Sequence, residues 1–116
     1  MRVALSGCFD LFHDGHKHLL NKTIKLAFSE IYTVKPQIII GLNTDESIKE
    51  LKGSSRPIDP FYKRKQNIEK HLFGVLRRED YESDFFLIKS FNTEKQLLDI
   101  YRNYKPGIIV HGDDIK

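Results

Sequence analysis

With a single cysteine, Cys8, among its 116 residues, the chain has no partner for an intramolecular disulfide, and it carries no Cys/His array at zinc spacing. That composition fits a reducing compartment. Long apolar runs are missing as well. Nothing approaches the ~18 to 20 consecutive apolar residues that cross a bilayer, and no signal-peptide core precedes the first strand-like segment, so a cytoplasmic protein without membrane insertion is expected. Charge of one sign is scarce too: Lys plus Arg number 19 against 16 Asp plus Glu, a net +3. The basic residues between Lys49 and Arg64, and at Arg77-Arg78, are interleaved with acidic ones, which favours a local anion site over a nucleic-acid surface. Repeats and low-complexity tracts are absent. A hydrophobic content of 40% supplies one core but not two at this length, so residues 1–116 are read as a single domain.

What the chain does contain is an alternation of strand-like and helix-like segments. Residues 2–6 read as a short buried strand, and a helix from about His16 carries Leu20, Ile24, Ala27, Phe28 and Ile31 at helical spacing. Residues 34–42 hold the β-branched run Ile38-Ile39-Ile40, suited to a parallel strand buried on both faces, with Gly41 turning the chain out of the sheet. Asn43-Thr44-Asp45-Glu46 caps a helix through Ile48 and Leu51. The donor-rich loop Lys52-Gly53-Ser54-Ser55-Arg56-Pro57 breaks it, and Asp59-Pro60 starts another helix, with Asp as cap, through Ile68 and Leu72. A strand over 85–88, a helix with Leu97, Leu98, Ile100 and Tyr101, and a strand over 108–110 complete the series. This order predicts an α/β fold: a Rossmann-like parallel sheet flanked by helices.

The most telling segment is Gly7-Cys8-Phe9-Asp10-Leu11-Phe12-His13-Asp14-Gly15-His16. It sets two histidines on either side of a glycine where the first strand hands over to the first helix, the place where such sheets bind phosphates. Gly15 is expected to let a phosphate approach the helix start closely. Asp10 is expected either to hold the loop by accepting backbone N–H bonds or to help bind a divalent cation. Cys8 reads as a small packing residue rather than a nucleophile, and His18 and His71 as helix-surface residues.

Gly7, Phe9, Asp10, His13, Gly15 and His16, with apolar Leu11 between them, match the pattern G-x-F-D-x-x-H-x-G-H, and the chain thereby resembles the nucleotidyltransferase superfamily, specifically its cytidylyltransferase branch. The resemblance implies strand order 3-2-1-4 with a fifth strand to follow, and a homodimer. It implies transfer of CMP from CTP, with Mg²⁺, to a small phosphorylated alcohol or amino alcohol. The rival readings are an adenylyltransferase with a phosphopantetheine-like acceptor and a noncatalytic nucleotide-binding module.

Such chemistry asks the protein only for in-line positioning and for donors at the charge growing on the phosphoryl oxygens. His13 and His16 suit that role as catalytic residues, any protonated fraction adding positive charge, and Lys52 joins them as a mobile cation on its loop. Gly7, Cys8, Phe9, Asp10, Gly15 and Asn43 are expected around the nucleotide. Arg64 is expected to offer a planar fork to phosphate. His111-Gly112-Asp113-Asp114 resembles the second cytidylyltransferase segment, with Gly112, Asp113 and Asp114 lining the nucleotide pocket. No metal site made by the protein alone is expected. The family pattern runs on into a loop and helix that grip the β- and γ-phosphates, so a continuation past Lys116 is expected.

Overall fold

The computed structural model describes residues 2–29, 35–89 and 93–110. Its elements are β1 (Arg2–Gly7), α1 (Asp14–Ala27), β2 (Gln37–Asn43), α2 (Asp45–Lys52), α3 (Phe61–Val75), β3 (Glu82–Ile88), α4 (Thr93–Tyr104) and β4 (Ile108–Val110). All strand pairings are parallel, and the order is β3-β2-β1-β4. The chain steps from β1 to β2 to β3 in one direction, then returns to place β4 on the other side of β1. That reversal beside β1 is where an open α/β sheet leaves a crevice at the carboxyl ends of its strands.

The period-two alternation of strand side chains builds both faces of the sheet. Val3, Leu5, Ile38, Ile40, Leu42 and Val110 pack with Leu19, Leu20 and Ile24 of α1 and with Ile68 and Leu72 of α3. Ala4 and Ile39 point the other way, toward Ile100 of α4, with Phe86 and Tyr104 alongside. Every residue of β2 after Gln37 is buried, as its continuous apolar run requires of a parallel strand covered on both sides. Full burial of each such Ile or Leu contributes ~1.5–3 kcal/mol, so the sheet is a firm platform for the loops at its edge.

Several boundaries differ from the sequence reading, each for a physical reason. Helix α1 begins at Asp14 with His13 as N-cap, because the two histidines themselves close its first turn. The helix ends at Ala27, which leaves Phe28 37% exposed while Leu19 and Thr23 are buried; Ile31 lies outside the described residues. Gly41 does not turn the chain. It sits within β2, and a Cβ there would come within 2.6 Å of both Ile88 Cδ1 and Phe86 Cζ, so glycine makes room for side chains of the neighbouring strand. Lys52 is the last residue of α2 rather than part of the loop, and α2 is capped by Thr44, whose Oγ1 accepts from Ser47 N–H at 3.2 Å. Asp59 does not cap α3; Pro60 takes the N-cap position without a side-chain bond. Leu51, Leu98 and Tyr101 are exposed.

Candidate active site

Between β1 and α1 the chain makes a tight loop in which two residues other than glycine, Phe9 (φ 53°) and Leu11 (φ 51°), adopt left-handed backbone. Such conformations cost about 1–3 kcal/mol each and persist where surrounding contacts impose them. Phe9 is held by its ring, which is buried and folds back over Gly7, where a Cβ would stand 3.1 Å from Phe9 Cε2. The return leg of the loop delivers His13 to the start of α1.

The two histidines form a capping box. His13 Nδ1 accepts from Gly15 N–H at 3.0 Å, and His16 Nδ1 accepts from His13 N–H at 3.2 Å, so both satisfy orphan donors at the helix start. An imidazole whose Nδ1 accepts carries its proton on Nε2. Each neutral ring therefore keeps Nε2–H as its one donor. The rings stack with centroids 3.8 Å apart, and His16 also packs against Phe9 and Phe12. Gly15 has a local reason here: a Cβ would lie 2.8 Å from His13 Cε1, so the position must be bare for the His13 ring to fold over it.

Burial, reinforced by the charges of His13 and Lys52 and opposed by Asp10, lowers the His16 pKa from 6.5 to about 4. His16 is thus neutral at physiological pH. That corrects the expectation that a protonated fraction adds charge at this residue: what His16 offers is a hydrogen-bond donor. Helix α1 supplies the positive end of its dipole at the same place.

Asp10 anchors the far side of the loop. Its Oδ2 accepts from Arg56 Nε at 2.9 Å and Ile58 N–H at 2.9 Å, and its Oδ1 from Asp59 N–H at 2.8 Å. Burial raises its pKa, but the bonds from Asp59, Ile58 and Arg56 outweigh that and hold the carboxyl below its ordinary value. Of the two roles expected for Asp10, loop tie and cation ligand, the geometry displays the first.

Arg64 is the largest departure from the sequence reading. Its side chain is 0% exposed and is spent on the protein. Nε donates to Asp59 O at 3.0 Å, Nη1 to Cys8 O and Asn43 O at 2.8 Å each, and Nη2 to Asp45 Oδ1 at 2.6 Å. One guanidinium thus joins the ends of β1 and β2, the first turn of α2 and the loop before α3. No fork is presented to solvent, and Arg64 stands as the residue that holds the edge in register.

Asn43, at the end of β2, is buried, with Nδ2 donating to Ser47 Oγ at 3.3 Å. Cys8 is half-buried; burial pushes its thiol up, while Lys52, Arg64 and Arg56 pull against it and Asp10 adds to it. Lys52 is exposed at the end of α2, and its charge is felt at both Cys8 and His16. Gly7, Cys8, Phe9, Asp10, His13, Gly15, His16, Asn43 and Lys52 therefore share the carboxyl edge of the sheet. Gly112, Asp113 and Asp114 lie outside the described residues.

Two residues without a sequence-level role proved structurally engaged. Arg56, unassigned in the loop, is paired with Asp10; a cation in a donor-rich loop was the available signal. His71 is half-buried, with Nε2 2.7 Å from Asn21 Oδ1 and its ring beside Phe12. It borders a groove of about 470 Å³ between α1 and α3 that is lined by none of those edge residues and meets them only through Phe12, which packs on His16.

A parallel sheet with this strand order, and a histidine-capped helix pointing its N-terminus into the crevice, has the layout of a nucleotide-handling α/β domain. Comparison with known proteins agrees: residues 4–116 match the cytidylyltransferase-like family model, and the chain belongs to that family of nucleotidyltransferases. Among curated proteins it is similar to the bifunctional protein HldE of Nitratiruptor sp., 35% identical over 114 residues that cover 98% of this chain and 20% of the relative. The HldE protein of Gluconobacter oxydans is 33% identical over 112 residues, 97% of this chain and 19% of the relative. That of Vibrio vulnificus is 42% identical over 62 residues, 53% of this chain and 11% of the relative. The chain thus spans about a fifth of the length of the first of these.

Proposed function

We propose that this chain transfers CMP from CTP to a small phosphorylated alcohol or amino alcohol. In that reaction a phosphate oxygen of the acceptor attacks the α-phosphorus of the nucleotide. A new P–O–P bond forms, the α–β phosphoanhydride breaks, and pyrophosphate leaves with the bonding electrons. The observation that carries this reading is the pair of imidazoles at the start of α1, each with Nδ1 committed to a backbone N–H and Nε2–H left to donate. Two pre-oriented donors beside a helix N-terminus suit the negative charge that grows on the α-phosphoryl oxygens and on the departing bridge oxygen. Because their orientation is set by the helix cap, little reorganisation is needed at the moment of transfer. Lys52, exposed at the end of α2, adds positive charge near the same atoms.

Magnesium enters this reading as the ion carried by the triphosphate. Asp10 is already filled by three N–H donors, and no group of three or more His, Cys, Asp or Glu among the described residues is arranged to hold a metal. The family match supports nucleotidyl transfer, and the cytidine assignment rests on the resemblance of the segment Gly7 to His16 to the cytidylyltransferase pattern. Pyrophosphate release by the intact protein, measured with CTP or ATP against a panel of phosphorylated acceptors, tests it. Turnover with CTP is expected, together with a loss of about 10²-fold or more in kcat for His13→Ala or His16→Ala. Preference for ATP would overturn the base assignment, and wild-type turnover in both variants would overturn the role of the histidines.

A further inference from the structure

Arg56 is only half used by the fold. Its Nε donates to Asp10, and its side chain remains 32% exposed while the Asp10 side chain is 2% exposed. Among the described residues no hydrogen bond is made by either of its terminal nitrogens. This differs from an ordinary surface arginine, whose long side chain samples many rotamers and pays entropy to hold any ligand. Here the carboxylate that fixes Nε is itself immobilised by Ile58 N–H and Asp59 N–H, so the guanidinium plane is set before any ligand arrives. Both backbone donors come from the two residues that follow Pro57, so the anchor and the arginine are fixed by one short stretch of chain.

The location matters equally. Asp10 lies in the loop that delivers the histidines, so Arg56 is tied directly to the phosphate-binding end of β1. The field of Arg56 reaches the Cys8 thiol and Asp10, whereas that of Lys52 reaches Cys8 and His16. Both cations therefore act on the loop between β1 and α1, and Arg56 alone is bonded to it, through Asp10. Nucleotidyl transfer needs such a second cation, because it brings the dianionic phosphate of the acceptor and the terminal phosphates of the nucleotide around one centre. A pinned guanidinium with two free parallel N–H groups matches a phosphate monoester in a way an ammonium cannot.

We propose that Arg56, oriented by Asp10, is a substrate-phosphate receptor of this site, binding a terminal phosphate dianion through its two free nitrogens. This rests on the nucleotidyltransferase reading for its substrates, but its test does not require turnover. The intact protein, labelled with ¹⁵N-arginine, is titrated with inorganic phosphate while the Arg56 Nε–H signal, assigned by its loss in Arg56→Lys, is followed. A saturable shift of that signal, with phosphate binding measured by isothermal titration calorimetry at least tenfold weaker in Arg56→Lys than in wild type at an unchanged melting temperature, supports the proposal. A signal that does not move, or equal phosphate affinity in wild type and Arg56→Lys, overturns it and leaves Arg56 as a loop tie.

Repeating the titration with the site filled by a non-hydrolysable α,β-methylene analogue of CTP separates the two sources of phosphate. A phosphate-induced shift that persists assigns Arg56 to the acceptor. A signal already shifted by the analogue, and then indifferent to phosphate, assigns it to the tail of the nucleotide. Failure of the analogue to bind at all would count against the CTP reading alone, since the first titration decides the role of Arg56 without it.

Discussion

Arg56 and Arg64 stand in the same short stretch of chain, both beside the carboxyl edge of the sheet, and the structure uses them in opposite ways. Arg64 makes four hydrogen bonds to protein acceptors from full burial. Arg56 makes one, and keeps its far end in solvent. The histidines repeat the contrast on a smaller scale: His16 is 4% exposed and wedged among aromatic rings, whereas His13 is exposed above it. What separates the arginines is whether the protein has already consumed their donors; the histidines differ in burial, while each keeps Nε2–H to donate.

The contrast between the arginines breaks first if Arg64 is replaced. Arg64→Leu leaves the carbonyls of Cys8, Asn43 and Asp59 without their donor and Asp45 without its cation. Asp45 is 37% exposed and is partly rescued by water, so the cost lies mainly in the three stranded carbonyls, and a loss of about 3 kcal/mol or more in unfolding free energy, read from chemical denaturation, is expected. Arg56→Leu should cost less, about 1–2 kcal/mol, since the buried Asp10 carboxylate loses one charge-assisted bond but keeps Ile58 N–H and Asp59 N–H. Equal destabilisation by the two variants would erase the distinction.

The histidines sharpen it through pH. His16 has a folded pKa of about 4 against 6.5, so the unfolded chain binds the extra proton first. The stability this represents is complete above pH 6.5 and is lost as pH falls toward 4, roughly 3 kcal/mol over the interval at ~1.4 kcal/mol per unit. His71, lowered by burial and then by the charge of Lys17, acts in the same direction. The measurement is therefore the difference between wild type and His16→Asn, which keeps an acceptor for His13 N–H. A flatter stability profile between pH 6.5 and 4 is expected in the variant, and an unchanged slope would mean that His16 is not held neutral.

Asp10 joins the two kinds of group. Its folded pKa lies below the ordinary 3.8, so its contribution is present above that pH and is lost as the solution becomes more acidic, below the His16 window. Asp10→Asn should cost about 2 kcal/mol at neutral pH, the scale of hydrogen bonds to a charged group. Amide protection should fall at Ile58 and Asp59 while β2 stays protected. Retained protection at those two amides would show that the loop does not depend on the carboxylate.

Much of this architecture is written in local pattern. The Ile38-Ile39-Ile40 run, the apolar stripes of α1 and α3 and the alternation of elements suffice for a parallel α/β sheet, because burial on both faces leaves few other places for such runs. The loop from Gly7 to His16 is legible in the same way. What the pattern does not contain is the fate of each polar donor. Whether Arg64 or Arg56 reaches solvent depends on Cys8, Asn43, Asp45 and Asp10, which are distant in sequence and meet only when β1, β2 and α3 are packed. The role of Gly41 likewise depends on Ile88 and Phe86 of another strand. Helix ends escape the pattern where the cap is a side chain that apolar spacing does not mark: the first turn of α1 is closed by the His13–His16 pair, and the spacing of apolar residues carries no trace of it.

The smallest expected change in stability, and the most discriminating for the role of His13, comes from Gly15→Ala. The added methyl would lie 2.8 Å from His13 Cε1 and 3.0 Å from its Nδ1, so the ring must swing away and the bond from Gly15 N–H to Nδ1 must break. Loss of a cap costs about 0.5–2 kcal/mol, but alanine in a helix recovers about 1 kcal/mol relative to glycine. The net shift should stay within about 1 kcal/mol, and His16, held by Phe9 and Phe12, should remain in place. Catalysis has no such compensation, because a displacement of about 1 Å in a donor can cost roughly 10²-fold in rate. A nearly unchanged melting temperature with kcat reduced by about that factor would show that Gly15 serves the orientation of the His13 ring. Full activity in Gly15→Ala would mean that the stacked geometry is a feature of the resting fold that transfer does not need.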